Sequence, residues 1–181
     1  YQALTTNTLN SGVLAIGYQA GYNFNTNADT GASTFLGYTA GKAVTTGTDN
    51  TFIGFAGGQT TTGSKNTAVG STALFSNTTA NNNTAVGYQA GYSNTTGAGN
   101  TVCGMQALYT NSTGPNNTVV GQYALNLATG STNTAIGYGS GSVITTGNKN
   151  SILGAYSGNQ GGLDIRTANN YIVLSDGEDR K

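Results

Sequence analysis

General acid–base chemistry at neutral pH needs side chains that titrate near 7, and this sequence is poor in them. Its 181 residues include no histidine, six acidic and six basic residues. Between Asn66 and Asn148 there is no Asp, Glu, Lys or Arg, so only tyrosines and Cys103 carry ionisable groups there. Asp29 and Asp49 stand alone. Asp176, Glu178 and Asp179 cluster near the end, where a solvated terminus explains them better than a calcium site. The stretch Gly58 to Lys65, GQTTTGSK, resembles a phosphate-binding loop but lacks the Lys-then-Ser/Thr step. Cys103 is the one cysteine and has no internal disulfide partner. These features imply no catalytic residue, no cofactor site and no metal site, and the chain reads as a non-enzyme.

The tyrosines are the remaining candidates. Tyr18, Tyr38, Tyr88 and Tyr138, and separately Tyr22, Tyr92 and Tyr109, recur at fixed places in a repeating pattern. They read as stacked rungs over an edge of the fold, or as a surface on which sugars pack. The sequons at Asn77, Asn94 and Asn111 are expected by chance in a chain so rich in Asn and Thr.

The pattern that must position these residues is the dominant signal. NTAVGYQAGY, at Asn83–Tyr92, returns as NTFIGFAGG, NTAVGSTAL, NTVCGMQAL, NTVVGQYAL and NTAIGYGSG. Its central glycines are Gly17, Gly37, Gly54, Gly70, Gly87, Gly104, Gly121, Gly137 and Gly154, spaced by 16 or 17 residues after a first interval of 20. With that glycine as position 0, position −4 is Asn from Asn50 to Asn150, and −3 is Thr or Ser in all but the first motif. Position −1 is aliphatic or Cys, and +3 is small throughout. A second glycine recurs at −7. Tyr1–Leu4 fits the half-repeat after a missing glycine, so the chain reads as a fragment that opens inside a repeat.

A period this short excludes helical-pair repeats and propeller blades. The expected fold is all-β: a parallel β-solenoid over residues 1–158, with 159–181 as a C-terminal transition or capping segment. Gly, Asn and Thr disfavour helix as well. Residues Asn50, Asn66, Asn83, Asn100, Asn117, Asn133 and Asn150 are expected to form an amide ladder, each side chain bonding the next.

Strand alternation puts −1 and −3 on one face and −2 on the other. The −1 set, Ile16, Leu36, Ile53, Val69, Val86, Cys103, Val120, Ile136 and Leu153, is assigned to the coil core, with Cys103 an inert buried thiol. The −2 set, Ala15, Phe35, Phe52, Ala68, Ala85, Val102, Val119, Ala135 and Ile152, is assigned to the outside. An apolar stripe outside a thin coil requires a partner, so these residues are expected to form a homo-oligomer interface between parallel chains.

The NTAVG/NTAIG motif resembles the NSVAIG-type head repeats of trimeric autotransporter adhesins. The NTAVGYQAGYSNTTG stretch is also similar to arrays in tail-fibre proteins of bacteriophages. The resemblance covers roughly residues 1–158. It implies a left-handed β-roll and a parallel homotrimer. The tail from Asp164 to Gly177 resembles the segment that leads, in such fibre proteins, into a C-terminal chaperone domain. The implied function is a structural shaft segment of an extracellular fibre, a phage tail fibre used in host attachment, located in the virion tail fibre or on an extracellular surface. The alternative is a bacterial surface adhesin or binding module that contacts host-surface glycan directly. The formal net charge of zero argues against nucleic-acid binding. No apolar run reaches the ~18 residues of a membrane span.

Overall fold

A computed structural model describes residues 2–5, 12–25, 31–59 and 62–177. Tyr1, Asp29, Thr60, Thr61, Glu178 and Asp179 lie outside the described residues. The chain is all-β. One strand per repeat gives β1 (Val13–Ile16), β2 (Ser33–Leu36), β3 (Thr51–Ile53), β4 (Thr67–Val69), β5 (Thr84–Val86), β6 (Thr101–Cys103), β7 (Thr118–Val120), β8 (Thr134–Ile136) and β9 (Ser151–Gly154). A short hairpin follows, β10 (Asn159–Gln160) and β11 (Leu163–Asp164), and then β12 (Ile172–Ser175).

Strands β1 to β9 and β12 form one ten-stranded parallel sheet in chain order. This is a β-solenoid, and its register is the repeat's own: Thr84 pairs with Thr101, Ala85 with Val102 and Val86 with Cys103. The sheet continues past residue 158. β12 pairs in parallel with β9, Leu174 beside Leu153. Tyr171 takes the place of the ladder Asn, 21 residues after Asn150. The surplus over the usual 17 is absorbed by the β10–β11 hairpin. At the other end Leu4, with φ of 52°, takes the +4 place of a preceding half-coil and donates its N–H to the Ala20 carbonyl.

Position 0 is glycine for a reason of both conformation and space. Its φ lies at 133° in Gly87 and 138° in Gly104, a region closed to L side chains. A Cβ on Gly87 would sit 2.7 Å from the Gly104 carbonyl oxygen, and one on Gly104 would sit 2.5 Å from that of Gly121. The obstacle is backbone of the next coil and cannot move aside. This close approach lets the Gly104 N–H donate to the Val86 carbonyl at 2.8 Å.

The wall opposite the sheet is a run of turns, yet it is laddered too. Gly91 donates its N–H to the Ala107 carbonyl at 3.0 Å and Leu108 to Ala124 at 2.9 Å. Buried backbone groups on both walls thus find partners in the adjacent coil.

The core is thin and is filled by complementary sizes. Ala20, Ala40, Ala73, Ala90, Ala107 and Ala124 at +3 are fully buried, as their small size implies. Where −2 is Phe, +4 is glycine: Phe35 lies against Gly21 and Gly41, and Phe52 against Gly58. Where −2 is Ala68, Val102 or Val119, +4 is the buried Leu74, Leu108 or Leu125; Ala85 and Ala135 have Gly91 and Gly141 at +4, and there Leu74 and Leu125 of the preceding coil lie against the glycine. Phe24, Phe35 and Phe52 form a packed aromatic series, with centroids 5.4 and 5.8 Å apart.

Gly104→Ala is expected to cost roughly 3 kcal/mol, from backbone strain and the collision with Gly121. Gly162→Ala, at φ of 83° with nothing within 4 Å of the added methyl, should cost only ~1 kcal/mol. Chemical unfolding of the two variants checks the contrast. Equal losses would mean that coil stacking does not constrain position 0.

Candidate functional site

The strand faces are the reverse of the sequence assignment. Phe35, Phe52, Ala68, Ala85, Val102, Val119, Ala135 and Ile152 at −2 point into the coil and are buried, and Ala15 packs against the same core. They are not an oligomer interface. Ile16, Leu36, Val86, Cys103, Val120, Ile136 and Leu153 at −1 are exposed, and Ile53 and Val69 half-buried. They do not form the coil core.

The physical reason is parity. Alternation decides which residues share a face, not which face is inward. The inward face is marked by Asn at −4, two residues from −2, because the ladder amides are buried. Asn50, Asn66, Asn117, Asn133 and Asn150 have no exposed surface, and Asn83 and Asn100 almost none. A side chain buried at −4 brings −2 inside with it and turns −3 and −1 outward.

The Asn ladder exists, but its main bonds run from amide to backbone. The Oδ1 of each Asn accepts the backbone N–H of the next: Asn83 Oδ1 from Asn100 at 2.8 Å, and Asn100 Oδ1 from Asn117 at 2.9 Å. Each Nδ2 donates to the residue at −7 of the next coil, as Asn83 to the Gly97 carbonyl at 3.0 Å and Asn133 to Gly147 at 2.9 Å. Direct amide–amide bonds occur at two steps, Asn66 Nδ2 to Asn50 Oδ1 and Asn117 Nδ2 to Asn100 Oδ1. The −4 side chain therefore stitches strand, corner and next coil together.

A second set of buried asparagines went unread in the sequence. Asn77, Asn94 and Asn111 lie at +7 and are buried. Asn77 Oδ1 accepts the Ala80 N–H and Asn111 Oδ1 that of Gly114, each closing a turn. Asn94 Oδ1 is buried without a hydrogen-bond partner, and nothing in the structure explains that. Burial removes all three from the reach of a glycosylating enzyme in the folded chain.

The outward face is the candidate functional site. It is one parallel sheet carrying an aliphatic column at −1 beside a Thr column at −3. At its C-terminal end Ile136, Leu153, Ile172 and Leu174 line a shallow apolar groove of about 220 Å³. Leu153 is 53% exposed, Leu174 75% and Ile172 82%. Cys103 stands in the middle of the column as a free, exposed thiol, and not as the buried one expected.

The tyrosines divide into columns. Tyr18, Tyr38 and Phe55 stack at +1, with centroids 5.1 and 5.5 Å apart. Phe75, Tyr92 and Tyr109 stack at +5, at 5.3 and 5.2 Å. The rings within a column turn their faces to each other, so the faces between neighbours are covered; Tyr88, half exposed at the same +1 place, stands outside both stacks. Tyr123 and Tyr138 meet edge to face instead.

Among the described residues three groups have displaced pKa values, and all lie near the C-terminal hairpin. Burial raises that of Tyr156, whose hydroxyl donates to the Leu163 carbonyl at 2.6 Å. The hydrogen bonds from Arg166 lower that of Asp164, and the same pair raises Arg166. The two side chains meet at 2.7 Å on the open surface. None of these groups lies on the outer face of the sheet.

Comparison of the chain with protein-family models, curated proteins and solved structures found no match.

Asn100→Ala leaves the buried Asn117 N–H without its acceptor and should destabilise the fold by about 1–3 kcal/mol, read from denaturant unfolding; an unchanged midpoint would contradict the ladder's role. The pH dependence follows from the hairpin groups. The stability contributed by Tyr156 is present below its ordinary value of 10.0 and is lost as pH rises through the higher folded value. That contributed by Asp164 is present above its ordinary value and is lost as pH falls through the lower folded one. A melting temperature recorded against pH should be flat between these limits, and Tyr156→Phe should reduce the alkaline decline. A decline unchanged by that substitution would contradict the assignment.

Proposed function

We propose that this chain is a structural shaft segment of an extracellular fibre, of the type found in bacteriophage tail fibres that serve host attachment, and that it acts as a left-handed, parallel homotrimer rather than as an enzyme. The observation that carries this reading is the exposed aliphatic column on a nearly uncharged stack of coils. Ten rungs at ~4.8 Å give a face about 45 Å long. Strands of three or four residues make it ~10–13 Å wide, so that face covers on the order of 500 Å² per chain, below one partner's share of a standard protein interface. Aliphatic side chains exposed in a continuous row on a monomer are costly and mark an interaction surface.

The partner best suited to this row is another copy. The knobs recur at the coil spacing, so a surface that fits them along the whole length needs the same spacing, and an identical chain has it. The threefold order and the handedness rest on the resemblance to adhesin heads and phage fibre arrays. The scarcity of charge suits a shaft that must keep its form across changes of salt, because few of its contacts are screened. The competing adhesin reading relies on ring faces open to sugars, and in the two columns the faces between stacked rings are occupied by their neighbours.

Val120→Asp and Leu153→Asp together should leave each coil folded and reduce the sedimenting mass from three chains to one. Val119→Asp, one residue away, buries a charge in the core and should instead unfold the rod, by about 3 kcal/mol or more. A mass unaffected by the outward pair would remove this face as the interface. Specific binding of the isolated rod to a glycan array would favour the adhesin over the shaft.

A further inference from the structure

A row of nearly identical rungs poses a problem of alignment. If copies associate through this face, as the shaft reading holds, a shift by one whole rung again places aliphatic knobs against aliphatic knobs and Thr against Thr. Register is weakly specified when every step looks the same, and repetitive interfaces need a device that penalises the shifted forms.

The sheet contains such a device at its two ends. Position −3 is Thr34, Thr51, Thr67, Thr84, Thr101, Thr118, Thr134 and Ser151 through the middle of the face. In β1 it is Leu14, and in β12 it is Ile172. Leu14 lies beside Thr34 in the ladder and Ile172 beside Ser151, so both occupy the Thr column and face outward with it. The first and last rungs are therefore doubly aliphatic, Leu14 with Ile16 and Ile172 with Leu174. All four side chains are more than half exposed. A rung at the edge of the described sheet is more open than a central one for want of a neighbour, so the composition is the telling feature: of the ten described rungs, these two carry an aliphatic residue at −3 where the others carry Thr or Ser. Neither Leu14 nor Ile172 belongs to the core cluster, so the coil interior does not require them.

We propose that these two doubly aliphatic rungs are register clamps: they align identical chains end to end along the shaft face, each terminal rung meeting its counterpart in the neighbouring copy. A one-rung shift would take both clamps off their counterparts and set at least one of them against Thr or Ser. Central rungs, with Thr at −3, contribute adhesion that is indifferent to register.

Cys103 supplies the gauge. It sits at the sixth of ten rungs, exposed on the face, and a disulfide spans Cα atoms only about 4.4–6.8 Å apart. Two differently tagged chains are co-expressed, one with the native Cys103 and one carrying C103V and V120C, and oxidised with dissolved oxygen and a copper catalyst. Like-tagged disulfides through Cys103 report matched rungs, and disulfides between the two tags report a one-rung shift. In the native background matched products should dominate. In an L14T/I172T background, which restores the repeat's own residue, the sedimenting mass should stay that of the oligomer while the shifted-to-matched ratio rises at least fivefold. An unchanged ratio at unchanged mass overturns the clamps and leaves the shaft reading intact. Loss of association in L14T/I172T also overturns them, since the end rungs would then hold the copies together rather than align them. A native chain that sediments as a monomer overturns the shaft reading and the clamps with it.

Discussion

The structure depends on one close approach: the backbone of each coil lies directly on that of the next at the corner glycine. No side chain separates Gly87 from Gly104 or Gly104 from Gly121. That contact sets the coil spacing and brings the strand N–H groups to their acceptors. It also lines up every other position of the repeat. The Asn at −4 holds the same spacing from inside, because one amide bonds both the next Asn N–H and the next corner carbonyl. Given these two rows, a chain with few large apolar residues can still bury a continuous core. Stability then comes from many similar interfaces between neighbours rather than from one large hydrophobic centre.

Much of this was legible in the sequence. The interval of 16 or 17 residues gave the rung partners, and Val86 does pair with Cys103. The small residue at +3 is interior as its size implies. Inside and outside were exchanged because aliphatic uniformity at −1 resembles a core. Sizes in the true core vary instead, from Ala to Phe at −2. That variation was present in the sequence, as was the parity that ties −2 to the buried Asn at −4. The tenth rung was hidden by the inserted hairpin, which stretches the repeat to 21 residues and replaces the ladder Asn with Tyr171. The second asparagine set was hidden because only Asn77, Asn94 and Asn111 carry it, while Phe24, Val44, Ala128 and Ile144 fill the same place in other coils.

The exchange of faces changes the functional picture more than the fold. A core of Phe, Val and Ile at −2 accounts for those residues fully and leaves them nothing to do outside. The outward aliphatic column then becomes the surface in need of a partner, with a column of Thr beside it. Polar chemistry is turned inward, where amides bond backbone, and the charged groups with shifted pKa values gather at the terminal hairpin. Such a distribution suits a rod whose work is to keep shape and to associate along its length.

The most direct measurement is amide hydrogen exchange at the ladder residues. The backbone N–H groups of Asn83, Asn100, Asn117 and Asn133 each donate to the side chain of the preceding Asn. They should exchange only with unfolding of the coils, as slowly as the strand amides of Thr84 and Thr101. Exchange at the rate of an unstructured peptide at these four positions, with the strand amides protected, would contradict a rod held together by its inward asparagines.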